Sequence, residues 1–149
     1  MRAVVQRVAE ARVMAEGEIV SGIQKGLLVF LGIAKGDGEE QAQYICSKIA
    51  ALRIFSDEND RMNFSVRDVG GSVLLVSQFT LYGDCRKGNR PNFMASERPI
   101  EAKKLYERCI RLLQLEKVEV RTGVFQADMQ VHSVNDGPVT VLLDSDRGF

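Results

Sequence analysis

Apolar positions in this chain follow two rhythms, and the alternation between them predicts a mixed domain. Short runs rich in Val, Leu and Ile read as strands, while two longer segments repeat their apolar residues at helical spacing. Residues 3–14 alternate well enough for one or two strands. Ala15-Glu16-Gly17-Glu18 supplies a turn and Ile19-Val20 begins a return strand, so a hairpin is expected. After Lys25-Gly26, the run at 27–33 reads as a core strand. Asp37 with Glu40 carries the capping-box signature of a helix start. Ala42, Ile45, Cys46, Ile49 and Leu52 then form one apolar stripe. Arg53-Ile54-Phe55 is a short strand, and residues 62–66 alternate briefly. A second helix opens at Ser96 with Pro99 in its first turn, and buries Ala102, Leu105, Cys109, Leu112 and Leu113. Segments 118–122, 125–134 and 139–144 close the fold, the last two separated by the turn Asn135-Asp136-Gly137-Pro138. Residues 145–149 read as a tail. The expected class is α/β, an α+β-like layered sandwich of mixed, largely antiparallel sheets with two amphipathic helices, in a single domain over 1–149.

Between the helices lies the run that departs from both rhythms. Ser72-Val73-Leu74-Leu75-Val76 is near-continuously apolar, the pattern of a strand buried on both faces. Ser77, Gln78 and Thr80 then follow around Phe79. On a continuing strand, Ser77 and Phe79 share one face while Gln78 and Thr80 share the other. A buried hydroxyl or amide left unpaired costs about 1–3 kcal/mol. These residues therefore either line a site or bond to neighbouring backbone, and the pattern alone leaves both readings open. The next loop holds the one cluster of positive charge: Arg86, Lys87 and Arg90. Such a run is either a solvated face or, beside a cleft, a grip on phosphates.

Composition narrows the class. With 45% hydrophobic and 27% charged residues, the chain is ordinary for a globular protein. Its 20 basic and 20 acidic side chains cancel, so a polyanionic partner must be met by a local patch. The first residues mix charge with apolar side chains and form no signal-peptide core. No apolar run approaches the ~20 residues that span a bilayer. Cys46, Cys85 and Cys109 lack C-x-x-C spacing, so neither a disulfide framework nor a zinc site is indicated, and a cytoplasmic setting is expected.

Several chemistries are disfavoured. Gly36-Asp37-Gly38 lacks the third glycine of a dinucleotide loop and the Lys-Ser/Thr pair of a phosphate loop. The acidic residues at 57–60 lack the EF-hand glycine and closing glutamate. His132 is the only histidine, and no G-x-S-x-G elbow exists. The Thr80 hydroxyl needs a base, and none is adjacent in sequence. No cofactor or metal is expected, and hydrolysis here would rest on positioning, backbone donors and help from the substrate.

Four segments together carry a family resemblance. Met1-Arg2-Ala3-Val4-Val5-Gln6-Arg7-Val8, Ser77-Gln78-Phe79-Thr80-Leu81, Arg86-Lys87-Gly88 through Arg90-Pro91, and Asn135-Asp136-Gly137-Pro138-Val139-Thr140 resemble the D-aminoacyl-tRNA deacylases nearly end to end. The resemblance implies hydrolysis of the ester joining a D-amino acid to the tRNA 3′ terminus, rejection of L-aminoacyl-tRNA, and clearance of glycine from alanine tRNA. It implies a homodimer in which Gly137-Pro138, with its peptide bond cis, enters the pocket of the other subunit and reads the α-carbon. Ser77, Gln78, Phe79 and Thr80 are then the catalytic segment. Backbone N–H groups near Phe79 and Thr80 form the oxyanion site, and the substrate's ribose 2′-hydroxyl takes the activating role. Arg7 braces the incoming turn, and Arg86, Lys87, Arg90 and Met129 support the site or the tRNA. Two other readings remain: a non-catalytic RNA-binding module, and a small-molecule esterase with Thr80 as nucleophile.

Overall fold

A computed structural model describes residues 1–149. Strand β1 (Arg2–Ala15) forms as one continuous strand. Glu16 and Gly17 take φ of 52° and 77°, the left-handed pair that a two-residue hairpin demands, and return the chain as β2 (Glu18–Ile23). Then β3 (Gly26–Gly32) continues along the same edge of β1, while β8 (Gln130–Asp144) runs antiparallel along the other edge. Beyond β3, β6 (Ser72–Ser77) and β7 (Glu119–Thr122) add in parallel. The Ser21 hydroxyl donates to the Thr122 carbonyl at 2.5 Å, so β2 leans onto β7 and the sheet curls nearly into a barrel. A two-stranded ribbon, β4 (Phe55–Ser56) with β5 (Met62–Phe64), lies apart. The mixed, largely antiparallel class with two helices is the one observed.

Both helices pack on one face of the sheet. From α1 (Glu39–Ala51), Ala42, Ile45, Cys46 and Ile49 meet Val29, Leu31, Val73 and Leu75. From α2 (Pro99–Leu115), Tyr106, Cys109 and Leu113 join the same cluster. Leu28, Leu74 and Val76 point the other way, into the curl, with Val8, Val13 and Ile23. Thus β6 is buried on both faces, as its unbroken apolar run demands.

Local details differ from the sequence expectation for identifiable reasons. Gly38, not Asp37, caps α1, and Gln41 rather than Glu40 reaches back to the Gly38 N–H at 2.9 Å. The Asp37 carboxylate is engaged elsewhere, accepting the Ala34 N–H at 2.7 Å and the Met1 ammonium at 2.8 Å. Leu52 caps the end of α1, and Ala50 takes its place in the core. Arg98 caps α2 in place of Ser96, whose N–H instead donates to the Phe93 carbonyl. Ala102, Leu105 and Leu112 are only half-buried, because Tyr106 occupies the centre of that stripe.

The larger difference is at Asn135-Asp136-Gly137-Pro138, which does not end a strand. Val8 pairs with Asn135 and Gln6 with Thr140, so Asp136 to Val139 bulge out opposite Arg7 alone. Asn135 closes the excursion with its side chain: Oδ1 accepts the Val139 N–H at 3.0 Å and Nδ2 donates to Thr140 Oγ1 at 3.1 Å. The strand then resumes its register.

Ile49 is fully buried between α1 and the sheet. Ile49→Ala is expected to cost about 2–5 kcal/mol of stability, read as a lower denaturant midpoint at unchanged slope.

Candidate active site

The polar end of β6 is built by an abrupt change of backbone. Gln78 still donates its N–H to the Leu31 carbonyl at 2.8 Å, but Phe79–Tyr82 is a 3-10 turn and not strand. The strand alternation expected through Thr80 therefore stops at Gln78. Gly32 permits this. A Cβ there would stand 3.0 Å from Leu81 Cβ and 3.1 Å from the Gln78 carbonyl, so the turn rests directly on strand backbone. Gln78 and Thr80 nevertheless meet, the side-chain amide donating to the Thr80 hydroxyl. Ser77 and Gln78 are half-buried and Thr80 is exposed, so the expectation of three buried polar groups fails within one chain. Phe79 is 56% exposed and sets its ring edge-on against Phe93, centroids 5.1 Å apart.

A cavity of about 580 Å³ opens beside this turn. One wall is Ser77, Gln78 and Phe79; the facing wall comes from the loop after β7, with Phe125 and Met129. The Met129 sulfur accepts the Val124 N–H at 3.3 Å and folds that loop back on itself. Phe93 and Phe125 were missed as site residues. Phe93 lay at the end of a loop read for its charge, and Phe125 in a segment read as strand. Glu97 and Asp128 also reach the cavity, and no spacing in the sequence singles them out.

The turn Phe79–Tyr82 opens with two donors that have no acceptor inside it. Leu81 N–H donates to Gln78 O and Gly83 N–H to Thr80 O, whereas the N–H groups of Phe79 and Thr80 stand ahead of the first bond of the turn. Neither His132 nor any cysteine lines the cavity. His132 lies in a separate groove of about 670 Å³ with Arg12, Ile19 and Gly22. No cluster of three or more His, Cys, Asp or Glu side chains is arranged to hold a metal ion.

Gly137 and Pro138 stand elsewhere. Their peptide bond is cis. Arg7 donates from Nε to the Asp136 carbonyl at 3.0 Å and from Nη1 to the Ile54 carbonyl at 2.7 Å, which ties the bulge to the residue just before β4. Gly137 has φ +130°, and a Cβ there would lie 2.8 Å from Val139 Cγ2 and 2.9 Å from Arg7 Nη2. Strands β1 and β3 intervene between this bulge and β6, a separation of about 14 Å. Within one chain the two segments do not share a cavity.

In the basic loop, Arg86 is already occupied. It donates to both Asp84 carboxylate oxygens, at 2.9 and 2.7 Å, and its own N–H reaches Asp84 Oδ1 at 3.0 Å. Those bonds from Arg86 hold the Asp84 carboxyl down at about 2. Lys87 and Arg90 are exposed and enter no ion pair.

Backbone donors at the open end of a turn beside a cavity are able to take up negative charge developing on a carbonyl oxygen. Comparisons with known proteins give the family. A family model described as D-Tyr-tRNA(Tyr) deacylase matches residues 4–144. Proteins named D-aminoacyl-tRNA deacylase from Thermotoga petrophila and Koribacter versatilis are 55% and 58% identical, with both chains covered in full. A solved structure titled "c-Myc DNA Unwinding Element Binding Protein" is 39% identical with a TM-score of 0.91, covering 97% of this chain and 98% of its own. A second, titled as a probable eukaryotic D-amino acid tRNA deacylase, shares 15% identity at TM-score 0.80, covers 95% of this chain and 97% of its own, and shows the same fold. This chain belongs to the D-aminoacyl-tRNA deacylase family, hydrolases of the ester bond of aminoacyl-tRNA.

The Asp84 carboxyl is expected to titrate near 2, and in Arg86→Ala to rise while staying below the ordinary value of about 3.9, because the backbone N–H of residue 86 still donates to it. Because the folded value is depressed, the Asp84–Arg86 pair is intact above the ordinary carboxylate range and is lost as pH falls through about 2. Carboxyl carbon NMR shifts read both values.

Proposed function

We propose that the chain hydrolyses D-aminoacyl-tRNA at the Phe79–Tyr82 turn, in a site completed by Gly137-Pro138 of a second copy. The observation that carries this reading is the pair of N–H groups at Phe79 and Thr80, without acceptors inside the turn, beside a cavity. The ester carbonyl oxygen sits against them, and charge developing there in the transition state meets donors already in place. In this reading the two carboxylates that reach the cavity, Glu97 and Asp128, do not serve as the base, Thr80 accepts a bond from the Gln78 amide, and neither His132 nor a cysteine lines the cavity. The substrate's 2′-hydroxyl therefore moves the proton, and water takes the acyl group. Thr80 and Gln78 hold the turn's shape. The terminal adenine lies between Phe79 with Phe93 on one wall and Phe125 on the other, Ser77 and Met129 line the same space, and Lys87 and Arg90 meet the phosphates behind it. No cofactor enters the reaction.

A second copy is called for because one chain keeps its two halves apart: three strand spacings, about 14 Å, lie between β8 and β6, and the bulge stands at the level of Leu27 and Val73, several residues along the strand from Gln78. The sheet face between them supports the pairing. Val4 pairs with both Leu142 and Phe30, and Phe30 with Val76, so an apolar row leads from the bulge side toward Gln78. Leu142 on that row is 54% exposed. A two-fold axis across it delivers the bulge of each copy to the cavity of the other. Carbonyl groups of Gly137 and Pro138 then accept the substrate ammonium and crowd the direction of an L side chain. Many D side chains are accepted because none is contacted, and glycine passes because it has nothing to exclude. The cytoplasm, where aminoacyl-tRNA is used, is the setting this reading implies. No helix is long and apolar enough to cross a membrane.

Purified protein is expected to hydrolyse D-tyrosyl-tRNA, to spare L-tyrosyl-tRNA, and to act poorly when the terminal ribose is 2′-deoxy. Equal decay of the D and L forms would reject the reading, and a trapped ester on Thr80 would replace it with a nucleophilic mechanism.

Phe79→Pro, which removes the N–H while keeping a helical φ, is expected to lose about 10²–10³ in kcat. Gly137→Ala should lose at least about a hundredfold, because its Cβ displaces Arg7 and the turn by the contacts given above. Mixing the two inactive proteins should restore about a quarter of wild-type activity, since half of the dimers then carry one intact site. No recovery in subunits shown to exchange would rule out the shared site.

A further inference from the structure

The Tyr106 hydroxyl lies outside the cavity, yet it is bonded to the point where the cavity's two walls separate. Tyr106 sits midway along α2, 4% exposed, and donates to the Leu75 carbonyl at 2.7 Å. The parallel ladder of β6 and β7 ends at this level, with Leu75 opposite Thr122. Gly123 N–H reaches the same oxygen at only 3.4 Å. From here β6 runs on through Ser77 and Gln78 to the turn, while the chain after β7 enters the loop bearing Phe125 and Met129. The Tyr106 ring also packs on Phe125, centroids 5.7 Å apart. A single side chain thus holds one wall through a hydrogen bond and the other through its ring, at their common origin.

Nothing else on α2 grips the sheet in this way. Cys109, one turn further on, is buried against Met1 and Cys46 and makes no hydrogen bond to Leu75. Burial pushes the Tyr106 hydroxyl far above the usual tyrosine range, so it remains a proton donor at any working pH. The bond is short, direct and inside the core, where an oxygen without it is poorly satisfied by the long Gly123 contact.

We propose that Tyr106 is a positioning residue for the hydrolysis: it touches no substrate atom, and it sets the spacing between the turn that receives the ester carbonyl and the wall that receives the terminal nucleoside. This rests on the site reading above. A nucleoside bound against Phe125 presents its ester to Phe79 and Thr80 only if that spacing is right. Misplacement by about 1 Å is enough to cost on the order of a hundredfold in rate. The substrate can still bind when the spacing is wrong, so the loss falls on turnover and not on affinity.

Tyr106→Phe keeps the ring and removes only the hydroxyl. With D-tyrosyl-tRNA, kcat is expected to fall about tenfold or more while KM stays within about twofold. Hydrogen exchange at the Gly123 amide should speed up about tenfold, with the amides of β1 unchanged. Cys109→Ala opens a void one turn along α2 without removing the bond to Leu75, and should keep kcat at the wild-type value despite its lower stability. Wild-type kcat in Tyr106→Phe, an equal loss in both variants, or a loss confined to KM would each overturn the inference while leaving the site reading standing. Failure of the wild-type protein to hydrolyse D-tyrosyl-tRNA would remove the site reading and this inference together.

Discussion

Val73 and Leu75 face the helices while Leu74 and Val76 face the curl, so β6 has no surface on which to carry a polar side chain until it leaves the core. The constraint shapes everything around it. Its ladders run to β3 on one edge and to β7 on the other, the second ending at Leu75, whose carbonyl Tyr106 takes up. The site therefore stands at the end of a strand buried on both faces. A reaction that depends on fixed backbone donors and no side-chain base needs such a support, because donors that must reorganise during the reaction contribute less.

The same logic applies at the other half of the site. A backbone carbonyl can select chirality at the α-carbon without contacting the side chain, but only if its position is held. At 136–139 the strand pairing of β8 lapses and would leave the bulge loose. Arg7 and Asn135 compensate, each using both ends of a planar polar group: the guanidinium spans Asp136 and Ile54, and the amide spans Val139 and Thr140. These planar groups fix direction as well as distance, which a lysine or serine at the same positions could not do.

Much of the architecture was legible because it follows from periodicity. The α1 stripe of Ala42, Ile45, Cys46 and Ile49 and the double burial of β6 need only local spacing. What could not be read depends on partners distant in sequence. Gly32 lets Phe79–Tyr82 tighten into a 3-10 turn, and nothing near Phe79 signals that. Asn135-Asp136-Gly137-Pro138 has the composition of a strand-ending turn, yet pairing with β1 on both sides keeps β8 continuous. Arg86 differs, because the acid that pairs with it, Asp84, is only two residues away. On sequence, Tyr106 looks like one more member of an amphipathic stripe. Its hydroxyl acquires meaning only when Leu75 is seen beneath it.

Reliance on positioning has a consequence for where sensitivity to substitution should lie. An enzyme with its own acid and base localises its chemistry in a few side chains, and remote changes matter little while those remain in place. In the proposed mechanism the reacting groups are backbone donors and the substrate's own hydroxyl, so the protein's contribution there is largely a set of distances. Gly32, Arg7, Asn135 and Tyr106 set those distances from outside the cavity, through contacts as specific as those of a catalytic side chain. Function is then spread through the packing beneath the turn and the bulge, and the boundary between a residue that stabilises the fold and one that serves the reaction is drawn by kcat and not by location.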